Sequence, residues 1–284
     1  MPARRSMDSF FSVNNHTRTL SGLVALLLVL TAMPALAVEL RYPQGDLHGF
    51  PSMSDESGKL IADGELTQKR KGDRLFVHAV WRFKDGRVAE EDDVLRTRPE
   101  LSQESFRWVE RRGKEELRRA QVDFRTGKAS FSRREDGKPK TWEEELDLPR
   151  GKAFTGYATA LAASQLRDAL SEKDARRSLT FVAFTPKPRT VELEIARAPG
   201  ARIRAAGREL SADLFTLHPK IPFPLSIVAN APDSHLWFTH ASPPALLRAE
   251  QNLLEKDDPR IRIDVIPRGA ALPLPAARRG KLPR

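Results

Sequence analysis

The sequence predicts a mainly β fold: an antiparallel up-and-down meander forming a curved sheet or partial barrel wrapped around one central helix. Three observations lead there. Apolar and polar residues alternate with period two through much of residues 60–148 and again through 178–266, the mark of half-buried strands. Turn dipeptides such as Asp85-Gly86, Thr126-Gly127 and Asp136-Gly137 separate these runs at hairpin spacing. Between the two blocks, residues 152–173 (KAFTGYATALAASQLRDALSEK) switch to helical spacing.

Residues 1–37 are expected to be a secretory signal peptide. Arg4, Arg5 and Arg18 face a single acid, Asp8, before the apolar run from Leu23 to Leu30, and Pro34-Ala35-Leu36-Ala37 supplies small residues at a cut. The run is far shorter than the roughly 20 apolar residues of a membrane span. Cleavage between Ala37 and Val38 would leave one β-rich domain, 38–267, followed by a disordered basic tail, 268–284.

Val38 to Asp63 is turn-rich and suits at most one short strand. Arg74 to Phe83 (RLFVHAVWRF) places Leu75, Val77, Ala79, Trp81 and Phe83 on one face. Strands are then expected over Arg87–Arg96, Gln103–Glu110, Leu117–Arg125, Lys128–Arg134 and Lys140–Leu148, turning at Gly113 and at the dipeptides above. Many outward positions are charged, which fits antiparallel pairing with one wet face. In the helix, Ala158, Leu161, Ala162, Leu166, Ala169 and Leu170 form the stripe expected to meet the sheet, with Asp168 and Glu172 on an exposed flank. The second block runs through Leu179–Phe184 and Thr190–Arg197, where Pro199-Gly200 should turn the chain into Ala201–Ala205. It continues over Leu210–Leu217, Leu225–Ala229, His235–His240 and Ile261–Ile266. Ala245 to Leu254 reads equally as helix, from its Ala, Leu, Arg, Glu and Gln content, or as a strand paired back on His235–His240.

Charge and cysteine bound the function. The formal charge of +10 falls to +8 without residues 1–37, and the tail supplies five of those charges, leaving +3 over Val38 to Pro267. Nucleic acid is therefore not an expected partner, and the mature chain has no expected transmembrane span. There is no cysteine, which removes disulfides, thiol chemistry and a lipid-modified cysteine. G-x-S-x-G, S-x-x-K, P-loop, G-x-G-x-x-G and H-E-x-x-H motifs are all absent. No catalytic residue, cofactor or metal is expected, and an enzyme is not the favoured reading.

Two features attract chemistry. In Glu90-Glu91-Asp92-Asp93, alternation puts Glu90 and Asp92 on one side and Glu91 and Asp93 on the other. A carboxylate pair suits a hard cation, but Arg82, Arg107, Arg111, Arg118 and Arg119 nearby favour cross-strand pairing. The second feature is aromatic. Trp81, Phe83, Phe106 and Trp108, with Leu161 and Leu166 of the helix, are the candidate ligand-binding residues if the sheet encloses a cavity; otherwise they fill a core.

The order of signal peptide, meander, interrupting helix and second meander resembles periplasmic carriers of the lipoprotein-localisation type. The phrases WRFKDGRVAEEDDVL and SHLWFTHASPPALLRAEQ are also similar to exported bacterial β-barrel proteins of unknown function. The likeness spans Leu60 to Ile266 and matches no functional residue one to one. It implies an incomplete barrel around helices that holds acyl chains in its opening. The expectation is a soluble periplasmic or secreted protein that binds a lipid or other apolar ligand. The alternative is an envelope interaction protein that meets a protein partner through its charged sheet face.

Overall fold

A computed structural model describes residues 37–172, 174–205, 207–220 and 232–266. The predicted leader up to Leu36, the strand expected at Leu225–Ala229 and the basic tail lie outside the described residues. Among those described, the first block comprises β1 (Leu47–Gly49), β2 (Ser52–Asp55), β3 (Leu60–Lys71), β4 (Arg74–Phe83) and β5 (Arg87–Arg96). It continues with β6 (Ser102–Arg112), β7 (Glu115–Asp123), β8 (Lys128–Glu135) and β9 (Lys138–Glu145). After β10 (Ala153–Phe154) and the helix α1 (Tyr157–Gln165), the second block holds β11 (Arg176–Phe184), β12 (Pro188–Ala205) and β13 (Arg208–Lys220). It ends with β14 (Ser234–Phe238), β15 (Leu246–Asn252) and β16 (Arg260–Asp264).

All sixteen strands belong to one sheet. From β2 to β9, and from β11 to β16, chain neighbours pair antiparallel, as a meander requires. The blocks are joined by β16 pairing with β2, Ile261 to Asp55 through Asp264 to Ser52. The free ends of this path are β9 and β10, which are consecutive in the chain. Fourteen strand spacings at about 4.8 Å would set the ends of a flat sheet ~67 Å apart. The seven residues 146–152 between them reach at most ~25 Å. The sheet therefore has to curl until its edges meet. Across that gap Phe131 and Phe184 lie 5.8 Å apart by ring centroids, and Lys187 Nζ is 2.8 Å from Glu144. The edges meet through side chains and the hydrogen-bonded sheet stays open.

Four expectations are corrected. The helix is shorter than 152–173. Ala153 and Phe154 pair parallel with Thr180 and Phe181 of β11, and α1 begins only after Gly156 and ends at Gln165, before a 3₁₀ turn at Asp168–Leu170. Nor is α1 amphipathic: every residue from Ala158 to Gln165 is buried, because the sheet wraps it from several sides. Gln165 lies buried in bonds to the Tyr42 backbone, accepting from its N–H at 2.7 Å and donating to its carbonyl at 3.3 Å. Pro199-Gly200 makes a bulge instead of a turn, with the register shifting between Ala198 and Ala201 while β12 continues to Ala205. The first segment holds two short strands, and β2 is the seam between the blocks. Residues 246–252 are strand, which resolves the ambiguity at 245–254.

The interior has two main apolar clusters. One surrounds α1 with Leu75, Val77, Leu95, Ile195, Phe215 and Phe238. The other is aromatic, built on Trp81, Phe83, Phe106, Trp108, Phe131 and Phe184.

Candidate functional site

A cavity of about 740 Å³ lies inside the curled sheet, within the range of small-molecule sites. Both clusters contribute to its wall: Leu66, Ala160 and Leu193 from the helix side, Trp81, Phe106 and Trp108 from the aromatic side. Of the six candidate ligand-binding residues, the structure brings these three aromatics together on the wall. Phe83, Leu161 and Leu166 are not part of it. Phe83 packs in the aromatic cluster beneath the Arg87 guanidinium, 4.5 Å from its ring, while Leu161 and Leu166 belong to the packing around α1.

The cavity also has a polar wall. Glu91 on β5 stands directly opposite Trp108 on β6, and Asp93 opposite Phe106. On β4 the partners of Glu91 and Asp93 are the inward Ala79 and Val77. Alternation thus forces both carboxyls to the interior, where Glu91 is 8 % exposed and Asp93 1 %. Gly156 delivers the chain onto them, and the backbone N–H of Tyr157 donates to Glu91 Oε1 at 2.7 Å. Gln103 donates to Asp93 Oδ1 at 2.6 Å and accepts from the Thr155 N–H at 2.8 Å. Thr155 Oγ1 in turn donates to the Val182 carbonyl at 2.8 Å, tying the site to β11.

Burial pushes the Glu91 carboxyl up, against the pull of the Tyr157 amide and of a hydrogen bond from Asp93. Burial also drives Asp93 well above the usual carboxylate range, helped by the charge of Glu91 and by the same hydrogen bond. Burial of both carboxyls on one strand face thus disfavours ionising the two together. Tyr157, on the same cavity wall, has its hydroxyl raised by burial and by both carboxyl charges. Two more buried polar atoms on this wall lack a hydrogen-bond partner: Trp108 Nε1 and Thr159 Oγ1, on residues 3 % and 6 % exposed.

The outward half of the acidic run behaves differently. Arg111 lies 3.1 Å from Glu90 and Arg107 2.9 Å from Asp92, with His78 Nδ1 2.7 Å from Asp92 on its other side. Cross-strand pairing therefore accounts for Glu90 and Asp92. Arg82 and Arg119 pair elsewhere, with Glu65 and Glu116, and Arg118 turns inward. Among the described residues, no group of three or more acidic or histidine side chains is placed to hold a metal ion.

No family model matches the sequence, and no curated protein matches it. Among solved structures, the chain is similar to a β-barrel-like protein of the domain of unknown function DUF1849 from Brucella abortus. The identity is 10 % and the TM-score 0.43, over 79 % of this chain and 97 % of that one. Among the described residues no helix is long and apolar enough to cross a membrane.

The turn between β15 and β16 forms another part of the cavity wall through Leu253, Leu254 and Glu255. An ionic cluster fixes it. Arg118 reaches Asp258 at 2.8 Å, Glu255 at 3.3 Å and Glu110 at 2.7 Å, while Arg133 holds Glu255 at 2.7 Å and Arg87 holds Glu110 at 2.6 Å. Burial opposes the charge of Arg118, but Glu110 and Asp258 outweigh it and raise its affinity for the proton. Burial raises Glu255, with Arg133 and Arg118 pulling the other way.

Away from the cavity wall, Ser211 Oγ lies 3.0 Å from His240 Nε2, and His240 Nδ1 3.2 Å from Asp213. Arg197 holds the same Asp213 oxygen at 2.8 Å. That carboxylate is committed to a guanidinium as well as to the imidazole, and the arrangement reads as an ionic anchor on a buried Asp213 whose His240 and Ser211 partners are exposed. Sequence reasoning missed Asp93, Gln103, Tyr157 and Thr159 as parts of one site. Only the inward parity of Glu91 and Asp93, set against Val77 and Ala79, signalled it.

Proposed function

We propose that this chain is an exported protein of the bacterial envelope compartment that binds an apolar ligand, a lipid or acyl chain, inside its curled sheet. The 740 Å³ cavity walled by Trp81, Phe106 and Trp108 carries this reading. A site of that size, mostly apolar with a few convergent polar groups, is the general form of a small-molecule pocket. Export rests on the leader-like residues 1–37. Val38, the first residue after the expected cut, is buried, with its N–H 2.8 Å from the Gly151 carbonyl, while Ala37 stays exposed.

Native mass spectrometry of protein purified from the exported fraction of its host, with organic extraction of any bound molecule, tests both parts. The expected result is a chain beginning at Val38 and a co-purifying apolar molecule. Ala160→Phe, which places a ring into the cavity beside the helix, should abolish uptake of a solvatochromic dye while leaving the fold intact by circular dichroism. A protein that carries no molecule and takes up no dye defeats the reading.

A further inference from the structure

The cavity is walled at depth by buried Trp81, Phe106 and Trp108, whereas Arg189, Lys220, Pro232 and Asp257 of its lining are exposed. These four sit at the start of β12, the end of β13, the approach to β14 and the turn before β16. That is one end of neighbouring strands, and it marks the mouth. Among the described residues, the lysines and arginines lining the cavity are Arg189, Lys220 and Lys256, all at this mouth. They are not equivalent. Lys220 is committed to Glu194 at 2.9 Å and Glu192 at 3.4 Å. Arg189 shares the parity of Val191 and Leu193 and stands opposite Ala183 of β11, all three on the cavity wall. Alternation therefore turns its guanidinium towards the opening, where no acidic side chain among the described residues pairs with it. Lys256 joins it on the same rim, because a parallel bridge between Phe184 and Glu255 fastens the β15–β16 turn beside the β11–β12 hairpin. Its contact with Asp257 is 3.8 Å long and the Asp257 side chain is 91 % exposed, a pairing worth little. An unpaired guanidinium beside a loosely held ammonium, above an apolar interior, has the composition that binds an anionic head with an apolar tail.

We propose that the cavity takes a long-chain amphiphile with an anionic head, carboxylate or phosphate. Arg189 and Lys256 hold the head at the mouth, and the alkyl chain runs inward to Trp81, Phe106 and Trp108. This rests on the apolar-ligand reading above and names its ligand class. The cations fix the orientation, since the deep wall offers an anion no lysine or arginine. An ammonium head would meet two like charges at the rim and is disfavoured. Because the head stays beside water, its attraction to the rim weakens with added salt.

The test is a calorimetric series on the full mature chain with dodecanoate, dodecyl phosphate and dodecyltrimethylammonium, each below its micelle concentration, and with inorganic phosphate. Both anionic amphiphiles should bind roughly tenfold or more tighter than the ammonium. The chain's net positive charge alone favours anions, so the variants localise the effect. Arg189→Gln should weaken dodecanoate roughly tenfold, the size of one charge-assisted bond, without weakening the ammonium compound. Lys256→Gln should weaken dodecanoate about threefold. Arg208→Gln removes the same charge at the far end of the β12–β13 hairpin and should leave dodecanoate within about twofold of wild type. If the ammonium binds as tightly as dodecanoate, or Arg189→Gln weakens dodecanoate no more than Arg208→Gln does, the anionic head is refuted while the cavity reading survives. If inorganic phosphate binds as tightly as dodecyl phosphate, the mouth is a free-anion site and the amphiphile is refuted. If none of the amphiphiles binds, both readings fall. Should Arg189→Gln fail to fold, the wild-type ranking and Lys256→Gln decide.

Discussion

Replacing Gly156 with alanine strikes the point where the chain enters α1 above the carboxyl pair. Gly156 has φ +57° and ψ −144°, a backbone conformation that is close to glycine-only. Holding an alanine there costs about 1–3 kcal/mol. A Cβ at this position would fall 2.3 Å from Glu91 Oε1 and 2.6 Å from Phe106 Cε2. Neither neighbour gives way freely, since Glu91 is fixed by the Tyr157 amide and Phe106 is packed beside Phe184 at 6.0 Å. Overpacking of this kind adds roughly 1–3 kcal/mol. The expected loss is therefore about 2–6 kcal/mol, or roughly 5–20 °C in Tm for a domain of this size. Gly113→Ala is the matched control. Its φ is +59° but nothing lies within 4 Å of the new methyl, so only the backbone cost of ~1–2 kcal/mol remains. Urea unfolding should show a larger loss for Gly156→Ala than for Gly113→Ala, the excess combining the contact with the costlier backbone region. A Gly156→Ala protein as stable as Gly113→Ala would refute the placement of Gly156 against Glu91.

Two more perturbations address the buried charges. Arg118→Met leaves Glu110 with Arg87 and Glu255 with Arg133, but strips Asp258 of its arginine; urea unfolding should show a loss near the lower end of the ~3–5 kcal/mol typical of a broken buried pair. Recovery of part of that loss by adding Glu110→Gln would confirm coupling, and strict additivity would deny it. For the carboxyl pair, burial raises both groups, so the folded chain holds their protons more firmly than the unfolded one. That contribution is complete below the unfolded carboxylate range, about 4, and is lost as pH rises through the folded values. The groups acting on the pair are the Tyr157 amide, Gln103 and the Asp92 charge. Asp93→Asn keeps the shape and removes the more strongly raised carboxyl of the pair, so its Tm should fall less than the wild type's between pH 5 and 8. Parallel Tm profiles would contradict the assignment.

Much of the β architecture could be read in advance because alternation is a local property. Leu75, Val77, Ala79, Trp81 and Phe83 had to share a face whatever they packed against, and the Asp-Gly and Thr-Gly pairs between runs made hairpins the economical connection. The helix is shorter than its spacing predicts because spacing alone does not register that Ala153 and Phe154 are drawn into the sheet by β11. Nor is it half-exposed, as the spacing implies. Its small residues let the sheet close around it, and a helix buried all round needs no polar stripe.

What the sequence determined by itself is which side each strand residue faces, and with that the inward direction of Glu91 and Asp93. What only the tertiary structure decided is what they face. The β16–β2 pairing and the short link from β9 to β10 curl the sheet, and the curl sets Trp108, Tyr157 and Thr159, far apart in the chain, around one carboxyl pair. Parity follows from the geometry of a single strand, whereas company depends on how long-range pairing closes the sheet.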